Sequence, residues 1–146
     1  MAIRKPLVWN GTMVEQLQSG DSIEVPSTGV DVVNLEASVA LALGDVVYVS
    51  AASTVAKSQA NAAGTTRAIG LARAAIEANA TGEIQTDGIL SGLTALTAGS
   101  TYYLSTDTAG AMVTAAPSET GKFIVKLGTA ISTTELEISI REPIKL

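Results

Sequence analysis

Four carboxylates stand where acid–base chemistry could be sought: Asp87, Asp107, Glu119 and Glu135. Two of them facing one substrate could divide the acid and base roles. Their sequence surroundings argue against it. Asp87-Gly88 and Asp107–Gly110 read as turns, and Glu119 lies in the turn spelled by Pro117–Gly121. Glu135 falls on the water-facing side of an alternating strand. The chain has no histidine and no cysteine. That removes the side chain that titrates near neutrality, the thiolate nucleophile, Cys/His metal ligation and any disulfide framework. Asp107–Gly110 is too short and too poor in carboxylates for a calcium loop. None of the many serines sits in a Gly-x-Ser-x-Gly elbow, and no glycine-rich phosphate loop opens a helix. The sequence therefore reads as non-enzymatic. It offers no catalytic residue, no cofactor-binding residue and no metal ligand.

Composition narrows the class further. At 146 residues the chain is long enough for one domain with a real core. Charged residues make up 16%, against about 25% in an ordinary domain. Aromatics are 3%, so the core must come from Val, Ile, Leu and Ala. Few charges and many small side chains suit tightly packed β structure and surfaces buried against other subunits. A hydrophobic fraction of 47% excludes a disordered Gly/Ser/Thr-rich chain. The net charge of −5 argues against nucleic acid and against an anionic membrane surface as partners. MAIRKPLVW lacks the apolar core of a leader, and Val39–Ala56 is too short and too Ser/Thr-rich to span a bilayer.

The elements that would position any site are strands. Residues 1–29 read as an N-terminal arm or hairpin, with Asn10-Gly11 joining Pro6–Trp9 to Thr12–Leu17. Pro6 allows only an edge position. Trp9 serves either as a lid on the domain's apolar edge or as an anchor in a neighbouring subunit, where Trp is enriched. Residues 30–146 read as the β domain. Strands are expected over Val30–Glu36, Asp45–Ser50, Val55–Ser58, Tyr102–Leu104, Ala111–Thr114, Lys122–Ala130 and Thr133–Arg141. Thr81-Gly82 and Asp87-Gly88 read as turns flanking short strands at Glu83–Asp87 and Ile89–Leu90. The segment 37–44 reads as non-regular, and 59–66 as a loop. Ile144-Lys-Leu146 is an apolar tail for the fold or for a partner.

One unit is written twice. Gly44-Asp-Val-Val-Tyr-Val-Ser50 is echoed by Gly99-Ser-Thr-Tyr-Tyr-Leu-Ser105, and Ile69-Gly-Leu-Ala72 by Leu127-Gly-Thr-Ala130. The copies span about 43–90 and 97–140. The repeat decides the hardest segment. RAIGLARAAIEANA, Arg67–Ala80, has the composition and spacing of a helix, but Gly70 weakens it. Ile69–Ala72 aligns with a segment that is plainly strand-forming, so Ala68–Ala75 is expected to be a strand. The fold class is then all-β, a compact β-sandwich or barrel-like domain built from two similar β units, with an extended N-terminal arm.

Several of these residues carry a resemblance. Leu96–Ser105, Gly110 with Met112–Thr114, Gly121, Lys126–Ala130 and Glu135–Ile140 resemble a module of tailed-bacteriophage virion proteins, found in head-decoration or head-fibre proteins and in distal parts of tail fibres. Lys5-Pro-Leu-Val and Gln16-Leu-Gln-Ser-Gly-Asp21 are similar to the opening segment of such proteins. Together these cover about half the chain. The resemblance brings no catalytic or ligand residues. It implies a structural virion protein that binds the outside of a capsid and stabilises it. The implied partners are the major capsid protein and two further copies of the chain in a homotrimer, the implied location is the capsid surface of the virion, and assembly takes place in the host cytoplasm. A chain of 146 residues beginning at Met1 favours the head over a fibre, since fibres carry long shafts. The alternative is a tail-fibre or head-fibre tip that contacts a host glycan or protein. The candidate partner contacts are Leu7, Trp9, Tyr48, Tyr102 and Tyr103, with core and sheet packing as the plainer role of the tyrosines.

Overall fold

The computed structural model describes residues 30–146 and, upstream, the backbone of β1 (Val8–Trp9) and β2 (Val14–Glu15). Eleven further strands follow: β3 (Asp31–Ala37), β4 (Val46–Ala51), β5 (Thr54–Lys57), β6 (Ala68–Ala72), β7 (Thr81–Leu90), β8 (Thr101–Leu104), β9 (Met112–Val113), β10 (Phe123–Ile124), β11 (Lys126–Ala130), β12 (Leu136–Ile138) and β13 (Ile144–Lys145). Among the described residues there is no helix. The fold is all-β, as the β-branched runs and turn residues require.

A nine-stranded sheet runs β3-β5-β4-β6-β7-β12-β11-β8-β9. It closes on itself at one end. β3 pairs parallel with β5 (Glu36↔Thr54, Ala37↔Val55) and antiparallel with β7 from Asp31↔Asp87 to Glu36↔Thr81. Strands β3 to β7 thus form a closed barrel, which leaves no free edge within it. The strand β7 then runs on past Asp87, and Gly88–Leu90 pairs with β12. A separate ribbon joins β10 to β13.

The two units match in hydrogen-bond register. Val47 faces Gly70 and Tyr48 faces Ala68; Tyr102 faces Gly128 and Tyr103 faces Lys126. Both pairings carry an irregularity at the corresponding place. Leu71 opposes Gln85 as Thr129 opposes Glu137, and Ala72 opposes Ile84 as Ala130 opposes Leu136. Turn bonds repeat as well. Gly44 N–H donates to Ala72 O at 2.9 Å, and Gly99 N–H donates to Ala130 O at 2.7 Å. Both glycines have positive φ, +87° and +81°, the region that disfavours a side chain. The repeat begins earlier than the sequence indicates. β3 belongs to the first copy, and its counterpart in the second is the Gly88–Leu90 half of β7, since each pairs with the last strand of its own unit.

Two cores result. One gathers Val47, Val55, Ala72, Ile76 and Ile84 inside the first barrel. The other gathers Val46, Leu71, Leu90, Tyr102, Leu104, Leu127, Leu136 and Ile138. Neighbouring residues of β4, Val46 and Val47, are both 0% exposed and face different cores; so do Leu71 and Ala72 of β6. β4 and β6 are therefore a wall buried on both faces at these residues, which explains the adjacent apolar pairs Val46-Val47 and Leu71-Ala72 in place of alternation. The β5–β6 loop ties the units together. Ala60 N–H donates to Ser105 O at 2.9 Å, and its carbonyl accepts from Phe123 N–H at 3.0 Å.

The helical periodicity of Arg67–Ala80 loses to the sheet, because Gly70 is required by a carbonyl. A Cβ there would strike the backbone of Gln85. The strand ends at Ala72 and not at Ala75. Thr81-Gly82 and Asp87-Gly88 are not turns. Pairing to β3 and then to β12 draws the whole Thr81–Leu90 segment into one strand, with Gly88 taking φ +83°. Lys122–Ala130 is not one strand either. It divides at Val125, whose 0% exposed side chain is in the larger core, so that β10 turns to β13 while β11 stays in the main sheet. The last alternating segment keeps only Leu136–Ile138 as strand. In the arm, Trp9 pairs with Val14 and Val8 with Glu15, a register wider than a two-residue Asn10-Gly11 turn would produce; the rest of 1–29 lies outside the described residues.

Gly70 and Gly128 occupy equivalent close approaches, the latter against the carbonyl of Glu137. Gly70→Ala and Gly128→Ala are each expected to cost about 1–3 kcal/mol or more by forced backbone displacement. Gly64→Ala, with nothing within 4 Å, should stay within about 0.5 kcal/mol of the parent. Urea denaturation of the three variants measures this; equal stabilities would mean that the sheets do not approach as described.

Candidate interaction surfaces

The two tyrosines at matching strand positions have the same setting. Tyr48 on β4 lies between Ala56 and Ala68, and Tyr103 on β8 between Val113 and Lys126; both are half-buried. Each is thus covered in part by its cross-strand neighbours and open to water for the rest. Tyr102 is different. It is 7% exposed in the larger core, and its hydroxyl accepts a hydrogen bond from Thr97 N–H at 2.9 Å. As a surface contact it is corrected: the alternation of β8 points Tyr102 inward and Tyr103 outward. Leu7 and the side chain of Trp9 lie outside the described residues. The structure therefore does not gather the five candidates into one site.

Large apolar side chains that the sequence did not single out are exposed instead. Val49 at the far end of β4 is 51% exposed, and Ile144 on β13 is 62% exposed. Ile89, Ile131, Val39 and Leu43 are exposed too. Ile89 has a legible signal in retrospect, since it directly precedes Leu90, whose partner across the sheet is core. Leu43 rims a cavity of about 430 Å³ floored by Gly92, Leu93 and Met112. This opening has a structural cause. In the first unit β3 meets β5 and seals the barrel; in the second the chain after Leu90 leaves the sheet before reaching β9, and the seam stays open.

Two ion pairs join charged groups of the first unit. Lys57 Nζ lies 3.1 Å from Asp45 Oδ2, and the same carboxylate oxygen accepts from Ala42 N–H at 2.9 Å. This fixes the 42–45 turn over β5. Arg73 and Glu83 pair at 3.0 Å across a groove of about 620 Å³ lined by Ala74–Glu77 and Ala80–Gly82. Being exposed, that pair contributes about 0–1 kcal/mol. Among the described residues no group of three His, Cys, Asp or Glu side chains is placed to hold a metal ion, and no helix is long and apolar enough to cross a membrane. Every buried side-chain nitrogen or oxygen in this region has a hydrogen-bond partner, so the interior is saturated and the unused polar groups lie on the surface.

Tyr102→Phe removes one acceptor from Thr97 N–H and is expected to cost about 0.5–1.5 kcal/mol. Tyr103→Phe should change stability by less than about 0.5 kcal/mol. Thermal denaturation of both variants checks the assignment; the reverse order would place Tyr103 in the core.

The chain matches no protein-family model, and no curated protein is significantly similar to it.

Proposed function

We propose that this protein is a capsid decoration protein of a tailed bacteriophage, a non-enzymatic piece that binds the outside of the head and stabilises it. The observation that carries the reading is where the phage-like residues fall. Leu96–Ser105, Gly110–Thr114, Lys126–Ala130 and Glu135–Ile140 are scattered in sequence, yet they form the contiguous strands β8, β9, β11 and β12. The resemblance thus covers neighbouring strands of one sheet and not isolated turns. The rest of the molecule suits a rigid spacer. Two cores share a wall, and apolar side chains such as Val49 and Ile144 stand exposed on the sheet surface.

In this reading the protein works as a homotrimer that bridges capsid subunits. The arm of residues 1–29, with Leu7 and Trp9, reaches a neighbour, while Tyr48 and Tyr103 contribute contacts from the sheet. Retention comes from avidity. Each contact is modest, but simultaneous engagement on a symmetric shell raises effective affinity by about 10²–10⁴. The fibre-tip alternative would gain from exposed aromatics clustered on loops. Among the described residues the tyrosines lie on strands, and one of them is buried.

Incubating the purified protein with phage heads that lack it tests the proposal. Saturable binding and greater resistance of the heads to heat or low salt are expected. Deleting residues 1–22 should weaken head binding by at least about tenfold while preserving the β domain's circular dichroism. Failure to bind heads, with binding to host cells or glycans instead, would overturn the proposal.

A further inference from the structure

The positive charges outside ion pairs are not spread evenly. Within residues 30–146, Lys57 and Arg73 are committed to Asp45 and Glu83. Arg67, Lys122, Lys126, Arg141 and Lys145 have no carboxylate partner among the described residues. Four of these five lie on neighbouring stretches of chain. Arg141 N–H donates to Lys126 O at 3.0 Å, Leu146 N–H donates to Lys122 O at 2.9 Å, and Phe123, next to Lys122, pairs with Lys145. Arg67 and Arg141 go further and line one cleft of about 600 Å³, together with Ile69, Ile140, Thr86 and Glu142. A chain of net charge −5 thus concentrates unpaired guanidinium groups over an apolar floor.

We propose that this cleft docks an acidic segment of a protein partner, with Arg67 and Arg141 holding a carboxylate and Ile69 and Ile140 taking an adjacent apolar side chain. The chemistry favours a carboxylate. Guanidinium groups present a planar fork that matches it with two parallel hydrogen bonds, and their weak hydration makes docking less costly than for lysine. A polyanion is disfavoured. Glu142 lines the same cleft, and the acidic chain as a whole repels an extended run of negative charge. A single carboxylate flanked by aliphatic residues avoids both penalties. The inference stands apart from any place on a virion, since it concerns only which chemistry this face accepts.

The test is an amide-resolved NMR titration of the full chain with three probes: acetyl-Ile-Glu-Ile-Glu-amide, its Ile-Gln-Ile-Gln counterpart and a heparin-derived hexasaccharide. The Glu peptide alone is expected to shift the amides of Ala68, Ile69, Thr86 and Arg141, and added salt should weaken it. Arg67→Ala and Arg141→Ala should each weaken it by about tenfold or abolish it, while Lys122→Ala should leave it unchanged. Arg67 and Arg141 are exposed and Lys122 is half-buried, and unchanged spectra elsewhere verify folding. Equal shifts with the Gln peptide would overturn the role of charge. Tighter binding of the hexasaccharide, or no shift with the Glu peptide at millimolar concentration, would overturn the proposal itself.

Discussion

Everything in this fold depends on burial of β4 and β6 on both faces. Val47 and Ala72 close the first barrel, while Val46 and Leu71, their immediate neighbours, form one side of the second core. Fully burying a Val or Leu side chain contributes about 1.5–3 kcal/mol, and here alternate residues of one strand contribute to separate cores. Neither core is complete without the wall. The copies differ accordingly. Where the first has Val46, Leu71 and buried Gln85, the second has Thr101, Thr129 and exposed Glu137. The same backbone register is buried on two sides in one copy and on one side in the other, and the side chains follow.

The strand β7 makes the same economy along the chain. Its first part is the last strand of the first unit, and its final residues are the first strand of the second. Gly88, at φ +83°, lies at the change of role. This concatenation leaves no flexible linker between the units, and the Ser58–Ala60 segment adds bonds from one unit to the other. A piece built this way moves as one body. Binding by such a body loses little conformational entropy, which suits a protein whose proposed work is to hold other subunits in place. The open seam near Leu43 lies where the second unit departs from the first, and the arginine cleft lies beside the first residues of β6, Ala68 and Ile69.

Much of the architecture was legible in the residues, and the reasons are specific. Gly44 and Gly99, then Gly70 and Gly128, marked equivalent turns and strand positions, and their recurrence was enough to turn Arg67–Ala80 from helix to a strand expected over Ala68–Ala75, of which the sheet keeps Ala68–Ala72. The short interval Asp87-Gly88 was misread because an Asp-Gly pair has the local chemistry of a turn; only pairing on both flanks keeps the strand continuous. The break at Val125 left no local signal, since β10 and β11 are both β-favouring and part only because β13 returns to pair with one of them. The tyrosines were legible as packing residues but not in their order. Which of Tyr102 and Tyr103 faces the core depends on the register against Gly128, a tertiary fact. The arginine cleft could not be read at all, because Arg67 and Arg141 are brought together by the sheet alone.

Native-state hydrogen exchange tests the shared wall most directly, because it reports the opening free energy of each strand separately. If β4 and β6 serve both cores, the slowest amides of β4, β6, β8 and β11 should exchange with one common free energy, equal to that of global unfolding. Amides of β8 and β11 that open at a distinctly lower free energy, while β4 and β6 stay protected, would show a second unit that unfolds alone and would contradict the account.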